Sequence, residues 1–435
     1  VAIWPKIRRR IELNPAPRTL ERFRVWLDRR RVARTASPVD GAPMRRMFID
    51  VTMISKNDAG TGIQRVVRAL ALQKDEIQAQ GWDVWYVVAS RRTPYHRIDW
   101  PAMRSSEHPV AIHARAGDVF LGLDYSLDVV RIHEGQLRHL VGEGARLWFL
   151  IHDLLPIQRP EWFSPENVAR YGKWLRVLGS LSEGFLCNSV QTKSELIEVL
   201  RSRFGLSRGY HTHVLPMGTD IQASLHTTGV PDGFDDYLAR LKLNPTILMV
   251  GTLEPRKGHQ GVLDAFDRLW REGFVGNLVI VGRAGWKVAS LLERLRAHPE
   301  HGKRLHWLDN ASDETLMRLY EASDGVLLAS FAEGFGLPLT EALRYRKPVL
   351  ARDLAVFCRH SSSGIRYFPV QADTIAMASA ISAWVEEIQS GAIVVRPGCD
   401  TDWRDSICSL LSALDKTAVA PREGGRALAG TSSPS

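Results

Sequence analysis

The stretch Ser330-Phe331-Ala332-Glu333-Gly334-Phe335-Gly336-Leu337-Pro338-Leu339-Thr340-Glu341-Ala342-Leu343 decides how this chain is read. It follows an apolar run at 325–329 and leads into a segment with helix-forming residues from Pro338. A short apolar run bounded by turn residues reads as a buried strand. Proline suits a first helical turn, where its missing N–H would have no intrahelical partner. The order is therefore strand, loop, helix, with Glu333 in the loop at the strand's carboxyl end and Glu341 in the early part of the helix. In an open α/β sheet, ligands bind at that end of the strands. Gly334 and Gly336 carry no side chain, so a ligand could approach the backbone closely between the two acids. Two carboxylates that accept sugar or ribose hydroxyls, with free amides between them, suit a nucleotide sugar. Two solvated glutamates would explain a bare Glu-x7-Glu; the Gly-Phe-Gly-x-Pro between them points to a ligand.

Working outward, further apolar runs fall at 48–53, 84–89, 118–123, 147–152, 184–188 and 213–217 in the first half. The second half has them at 246–251, 278–282, 305–308, 325–330, 348–352 and 365–368. Most are continuous rather than alternating, as expected of parallel strands covered on both faces. Helical segments are expected at 63–80, 260–272, 312–322 and 374–389, and Ser312 is a good cap for the third, with Asp313 and Glu314 favourable behind it. Repeated βα units imply doubly wound parallel sheets, one in each half. The expected layout is a leader at 1–46, a Rossmann-like domain at 47–222 and a linker at 223–244. A second Rossmann-like domain follows at 245–399, then a helix at 400–417 returning to the first domain, and a disordered tail at 418–435.

At 435 residues, two domains with ample cores are the default, and 45% hydrophobic with 24% charged residues describes an ordinary globular chain. No apolar run approaches the roughly 18–20 residues that span a bilayer, and nothing resembles a secretory leader. Cys187, Cys358, Cys399 and Cys408 have no paired spacing and read as reduced thiols of a cytoplasmic protein. The formal charge of +9 lies entirely in residues 1–46, where Lys6 and twelve arginines face four acids, so the remainder is neutral. That segment also holds Trp4, Phe23 and Trp26 among aliphatic residues. A basic stretch bearing tryptophan suits an anionic membrane surface. An unstructured leader is the alternative, and nucleic acid is disfavoured because no recognition motif accompanies the charge.

Three other strand ends carry chemistry. Gly251-Thr252-Leu253-Glu254-Pro255-Arg256-Lys257-Gly258-His259 places two basic residues just before a helix, where as exposed charges they could neutralise a diphosphate. Asp58-Ala59-Gly60-Thr61-Gly62-Ile63 opens a helix with glycines whose amides can face phosphate or hydroxyl. Ile151-His152-Asp153 ends another strand; His152 can donate to a sugar and Asp153 can orient it. Asn188-Ser189 and 216–220 end two more on the same edge. No metal-ligand spacing is visible.

Together these pieces resemble glycosyltransferase family 4, retaining enzymes of the GT-B fold, in which two Rossmann-like domains face each other across a cleft. The resemblance covers roughly residues 48–414. It implies that Glu341 binds ribose hydroxyls and Glu333 the transferred sugar. It further implies that the amides of Gly334, Phe335, Gly336 and Leu337 contact that sugar. Arg256 and Lys257 would hold the diphosphate, the loop at Gly60 and Gly62 would approach phosphates or acceptor, and Leu308 would lie beside the donor. His152 would stand at the reacting centre. Many members have Gly-Arg-Leu where this chain has Gly251-Thr252-Leu253, so Arg256 would supply the missing charge. The Glu-Pro-Arg-Lys variant resembles bacterial mannosyltransferases that build surface polysaccharides. The implied donor is GDP-mannose, with a UDP- or dTDP-sugar as the alternative, and the implied acceptor a saccharide or polyprenyl-linked saccharide. No metal or other cofactor is expected, because the basic pair does what a metal does elsewhere. A non-catalytic glycan-binding scaffold of the same fold is the rival reading.

Overall fold

The structure, a computed structural model, describes residues 18–32, 44–58, 60–102, 109–220, 227–358, 364–396 and 401–419. Every apolar run read as a strand overlaps one, with ends displaced by up to a few residues. In the first half these are β1 (Arg45–Asp50), β2 (Trp82–Val88), β3 (His96–Ile98), β4 (Val119–Gly122), β5 (Arg146–Ile151), β6 (Gly184–Cys187) and β7 (His211–Val214). They form a sheet in the order β3-β2-β1-β4-β5-β6-β7, parallel except for β3, which runs antiparallel to β2. The sequence reading missed β3, a three-residue edge strand with a single apolar residue, Ile98. In the second half β8 (Thr246–Val250), β9 (Asn277–Val281), β10 (Leu305–Leu308), β11 (Gly325–Leu328), β12 (Val349–Arg352) and β13 (Ile365–Phe368) pair in parallel in the order β10-β9-β8-β11-β12-β13. β5 and β9 are buried along their whole length, which is why their sequences run apolar without alternating.

The helices used below are α1 (Arg18–Val32), α2 (Gly62–Ala71), α3 (Glu134–Gly142), α4 (Pro165–Leu181), α5 (Val190–Phe204), α6 (Phe234–Leu241), α7 (His259–Arg271), α8 (Asp313–Ala322), α9 (Leu337–Arg344), α10 (Thr374–Gln389) and α11 (Trp403–Val419). The segment expected as one helix at 63–80 breaks after α2 and resumes at Lys74–Ala79, a turn that brings Ile77 into the core. Ser312 caps α8 as expected, accepting the Thr315 N–H at 2.9 Å. Helix α9 starts one residue before Pro338, behind Gly336 in a left-handed conformation at φ +87°.

Two segments, the leader and the linker, differ from their sequence reading. Part of the leader is the folded helix α1, which packs on α4 and α5 with Val25 1% exposed. Several of its arginines are engaged there: Arg22 donates to the Ser202 carbonyl at 2.6 Å, and Arg29 to those of Gly179 and Gly209 at 2.8 Å. Arg45 and Arg46 belong to β1, where Arg46 is paired with buried Asp118 at 2.6 Å. The stretch read as a linker contains α6, whose Phe234, Leu238 and Leu241 join the core of the second domain against α8. Helix α11 crosses back to the first domain, where Trp403, Ile407, Leu410 and Leu414 pack with Met47, Ile49 and Val84. A Cβ at Gly218 would lie 2.5 Å from the Trp403 ring, so only glycine admits that indole. Residues 1–17, 33–43 and 420–435, and Cys399, lie outside the described residues. Cys187, Cys358 and Cys408 are free thiols. Among the described residues no helix is long and apolar enough to cross a membrane.

Candidate functional site

The order of the second sheet reverses between β8 and β11, so the loops after these adjacent strands diverge and leave a crevice at their carboxyl ends. The loop after β8 carries Glu254, Arg256 and Lys257; the loop after β11 carries Ser330 and Glu333. Arg256 donates to Glu333 at 2.8 Å and, through two nitrogens, to Glu254 at 3.1 and 3.2 Å. Lys257 Nζ lies 2.5 Å from the other Glu333 oxygen, which also accepts the Ser330 hydroxyl at 2.6 Å. The loops are joined again where the Phe331 N–H donates to the Arg256 carbonyl at 2.7 Å.

This corrects the reading of Arg256 and Lys257 as exposed charges. Their side chains are 15% and 12% exposed, and Glu333 only 9%. Burial pushes the Glu333 carboxyl up, but Lys257 and Arg256 outweigh it and hold the group at about 2. Glu254, whose carboxylate also receives Arg256, is nonetheless raised by burial. Burial pulls Arg256 down, and its two carboxylate partners more than restore it.

Glu341, on α9, is also engaged. It accepts the Tyr320 hydroxyl at 2.8 Å and Arg65 of α2 at 3.1 Å, while Arg65 reaches Asp313 of α8 at 2.7 Å. Arg65 thus ties the first domain to the candidate ribose site, just after the Gly60–Gly62 loop. A Cβ at Gly62 would lie 3.5 Å from Leu337, so that loop sits against the start of α9. Phe335 and Leu337 pack on the core of the first domain.

His152, at the end of β5, comes within reach of this set. A Cβ at Gly334 would lie 2.0 Å from the His152 carbonyl, and Thr192 Oγ1 donates to the Gly334 carbonyl at 3.3 Å. Gly334 is therefore required by the facing domain, and Gly336 by Phe357, whose ring a Cβ would meet at 2.4 Å. Protein packing accounts for both glycines that the sequence reading gave to ligand approach. The His152 ring lies 3.1 Å from the Leu123 carbonyl, and Asp153 instead accepts the Leu155 N–H at 3.2 Å. The orienting group is a backbone carbonyl, not the neighbouring carboxylate. Leu308, at the end of β10 two strands from β8, accepts the Gly282 N–H at 3.0 Å and packs on the core that holds Leu339 and Ala342 of α9. Arg65, Asp313, Tyr320 and Thr192 were not assigned to the site from sequence, and nothing local marks them, since Arg65 and Glu341 are 276 residues apart.

Burial lowers His152 to about 4, against the pull of the Leu123 carbonyl. Its folded value lies below its ordinary 6.5, so the unfolded chain takes the proton first. Stability from neutral His152 is full above 6.5 and is lost as pH falls towards 4. The drop in melting temperature between about pH 7.5 and about pH 5 is expected to be smaller in His152→Gln than in the wild type. An equal drop would show that His152 does not titrate in this way.

Residues 238–389 match the family model described as glycosyl transferases group 1. The serotype-specific mannosyltransferase WbdA of Escherichia coli is 34% identical over 393 residues, covering 87% of this chain and 46% of that protein. The chain spans about half the length of the curated relatives it matches most fully. Among solved structures, HepE of Anabaena in complex with UDP and glucose superposes with a TM-score of 0.53 at 18% identity, covering 86% of this chain and 98% of that one. A sucrose-phosphate synthase from Thermosynechococcus elongatus gives 0.57 at 16% identity, covering 86% and 97%. At those identities the likeness speaks for the fold, and the fold is GT-B.

Proposed function

We propose that this chain is a retaining glycosyltransferase that moves mannose from GDP-mannose to a saccharide or polyprenyl-linked saccharide acceptor in cell-surface polysaccharide synthesis. The observation that carries this reading is the pairing of Arg256 and Lys257 with Glu333 at the switch point of the second sheet, facing His152 of the first domain. The group 1 match over the second domain supports the reaction class, and the WbdA likeness supports mannose.

In this reading the donor diphosphate takes Glu333's place as partner of Arg256 and Lys257. Glu333 is then free to accept hydroxyls of the sugar, and Glu341 exchanges Arg65 and Tyr320 for the ribose. The carboxylates that balance the basic pair keep its charges organised before the donor arrives. As the bond from the anomeric carbon to phosphate breaks, the fixed positive charges stabilise the developing diphosphate. The acceptor oxygen bonds the same face of that carbon and passes its proton to a leaving phosphate oxygen. His152, neutral near pH 7 with its Nε2–H on the Leu123 carbonyl, can accept a hydroxyl of the transferred sugar at Nδ1 without adding charge. Contacts between the domains at Gly334, Glu341 and the Trp286 N–H to Trp162 carbonyl bond at 2.7 Å must loosen for the donor to enter and re-form around it.

The direct test is a screen of GDP-, UDP-, dTDP- and ADP-sugars by turnover, with the product's anomeric configuration read by proton NMR. GDP-mannose is expected to be turned over fastest and to give an α-linked product. A β-linked product, or turnover of another donor alone, would overturn the retaining or the mannosyl reading respectively. Transfer is also expected to survive EDTA, since Arg256 and Lys257 neutralise the leaving group. Complete loss on chelation, restored by magnesium or manganese, would refute that.

The enzyme is further proposed to work in the cytoplasm, docked peripherally on the inner face of the plasma membrane through α1. Leu20, Phe23 and Trp26 lie on its outward side at 46–55% exposure, with Arg30 over the Trp26 ring at 4.1 Å. An exposed aromatic stripe beside arginines suits an anionic lipid surface. Co-sedimentation with vesicles containing anionic lipid is expected to fall in Phe23→Ser/Trp26→Ser and in high salt. Equal sedimentation with neutral vesicles would dismiss the docking role.

A further inference from the structure

His113, His139 and Glu143 meet at the end of the first domain opposite the cleft. The cleft lies past the carboxyl ends of the strands, whereas these residues sit by the amino ends of β4 and β5. There Gly117 N–H donates to the Gly144 carbonyl at 3.3 Å, and the Arg146 N–H to that of Asp118 at 2.9 Å. His139 is on α3, Glu143 caps that helix one turn later, and His113 comes from the segment before β4. Nδ1 of His113 and Nε2 of His139 lie 3.1 and 3.2 Å from the same Glu143 oxygen, and all three donor atoms lie within 4.8 Å of one another.

The frame around this cluster is held from both sides. The second Glu143 oxygen accepts the Ala114 N–H at 2.7 Å, which fixes the carboxylate plane. The His113 carbonyl accepts Arg46 at 3.2 Å, and Arg46 is itself bound to buried Asp118. The two imidazole nitrogens lie 3.1 and 3.2 Å from one carboxylate oxygen and within 4.8 Å of each other, so small rotations of the exposed rings bring all three to the roughly 2.0–2.2 Å that zinc takes to such ligands. Three protein ligands and a water complete a tetrahedral site, and imidazole selects a transition ion over magnesium or calcium. The outer sides of both histidines are exposed, which leaves room for that water.

We propose that His113, His139 and Glu143 form a site for a divalent transition-metal ion, zinc by preference, that clamps the segment before β4 onto α3. It stands apart from the transfer site, so its occupancy acts on stability and not on turnover. In the sequence only His139 and Glu143 have a ligand-like spacing, at i, i+4; the third ligand, His113, lies 30 residues before Glu143 and meets it only in the fold.

The test is calorimetric titration of the chelator-treated chain with zinc chloride, alongside the visible spectrum with cobalt(II) and melting temperatures with and without metal. One saturable equivalent, a tetrahedral cobalt spectrum and a higher melting temperature are expected. His139→Ala and His113→Ala should each weaken that equivalent by at least the roughly 10–100-fold that loss of an outer-shell partner costs. Glu143→Gln keeps an oxygen for Ala114 and should weaken it as well. His301→Ala, at an exposed histidine elsewhere, should leave it unchanged. No zinc binding by the wild type, or the same affinity in a folded His113→Ala/His139→Ala variant, would overturn the proposal.

Discussion

Arg256→Ala is expected to lower transfer by about 100–1,000-fold, the usual cost of removing one group that stabilises charge in a transition state. It is also expected to lower the melting temperature by roughly 10 °C. An exposed arginine would not do the second, but Arg256 is buried between Glu254 and Glu333. Its removal leaves Glu254, 5% exposed, without the two guanidinium bonds it accepts. Breaking a buried pair from one side costs about 3–5 kcal/mol, and a domain of this size loses about 2–4 °C for each of those. The double variant Glu254→Ala/Arg256→Ala removes the stranded acid as well, so it should recover much of the melting temperature while transfer stays low. Calorimetry and a donor-turnover assay on both variants check this. Near-normal turnover in Arg256→Ala would remove it from the diphosphate site. Unchanged melting temperature would mean that the ion network contributes little to the fold.

Glu341→Ala is expected to weaken binding of the donor nucleotide by roughly 10–150-fold, the effect of losing a charged hydrogen-bond acceptor worth about 1.5–3 kcal/mol. Arg65→Ala should act in the opposite sense. Arg65 and the ribose compete for the same carboxylate, so a nucleotide binding the wild type must first displace Arg65. Without it, nucleotide affinity should hold or rise, even as Asp313 and Glu341 lose a buried partner and the protein melts earlier. Isothermal titration with GDP distinguishes the cases. If Arg65→Ala weakens GDP as much as Glu341→Ala does, then Arg65 contacts the donor itself and the two do not compete.

The resting state implied by these pairs is one in which every charged group assigned to the donor already has a protein partner. Arg256 and Lys257 have Glu333, and Glu341 has Arg65 and Tyr320. Exchange of partners rather than exposure of bare charges limits what binding must pay in desolvation.

Short-range signals made much of the fold legible from the sequence alone. Continuous apolar runs marked the parallel strands because both faces of each are covered, and a run such as 305–308 coincides with β10. Ser312 marked the start of α8 because a cap acts on amides two or three residues away. The strand, loop and helix around Glu333 and Glu341, and hence the end of the sheet where the site lies, follow from turn chemistry within a few residues. What the tertiary structure alone decided is which charges face which. Arg256 meets Glu333 across 77 residues because β8 and β11 are neighbours in the sheet. Arg65 meets Glu341 because two domains built separately come together. Gly334 is glycine because the His152 carbonyl of the other domain arrives where a Cβ would be. Hydrophobic periodicity and capping are read along the chain, whereas Coulomb pairing and close approach depend on distances in space, and those exist only once the sheets have ordered their strands.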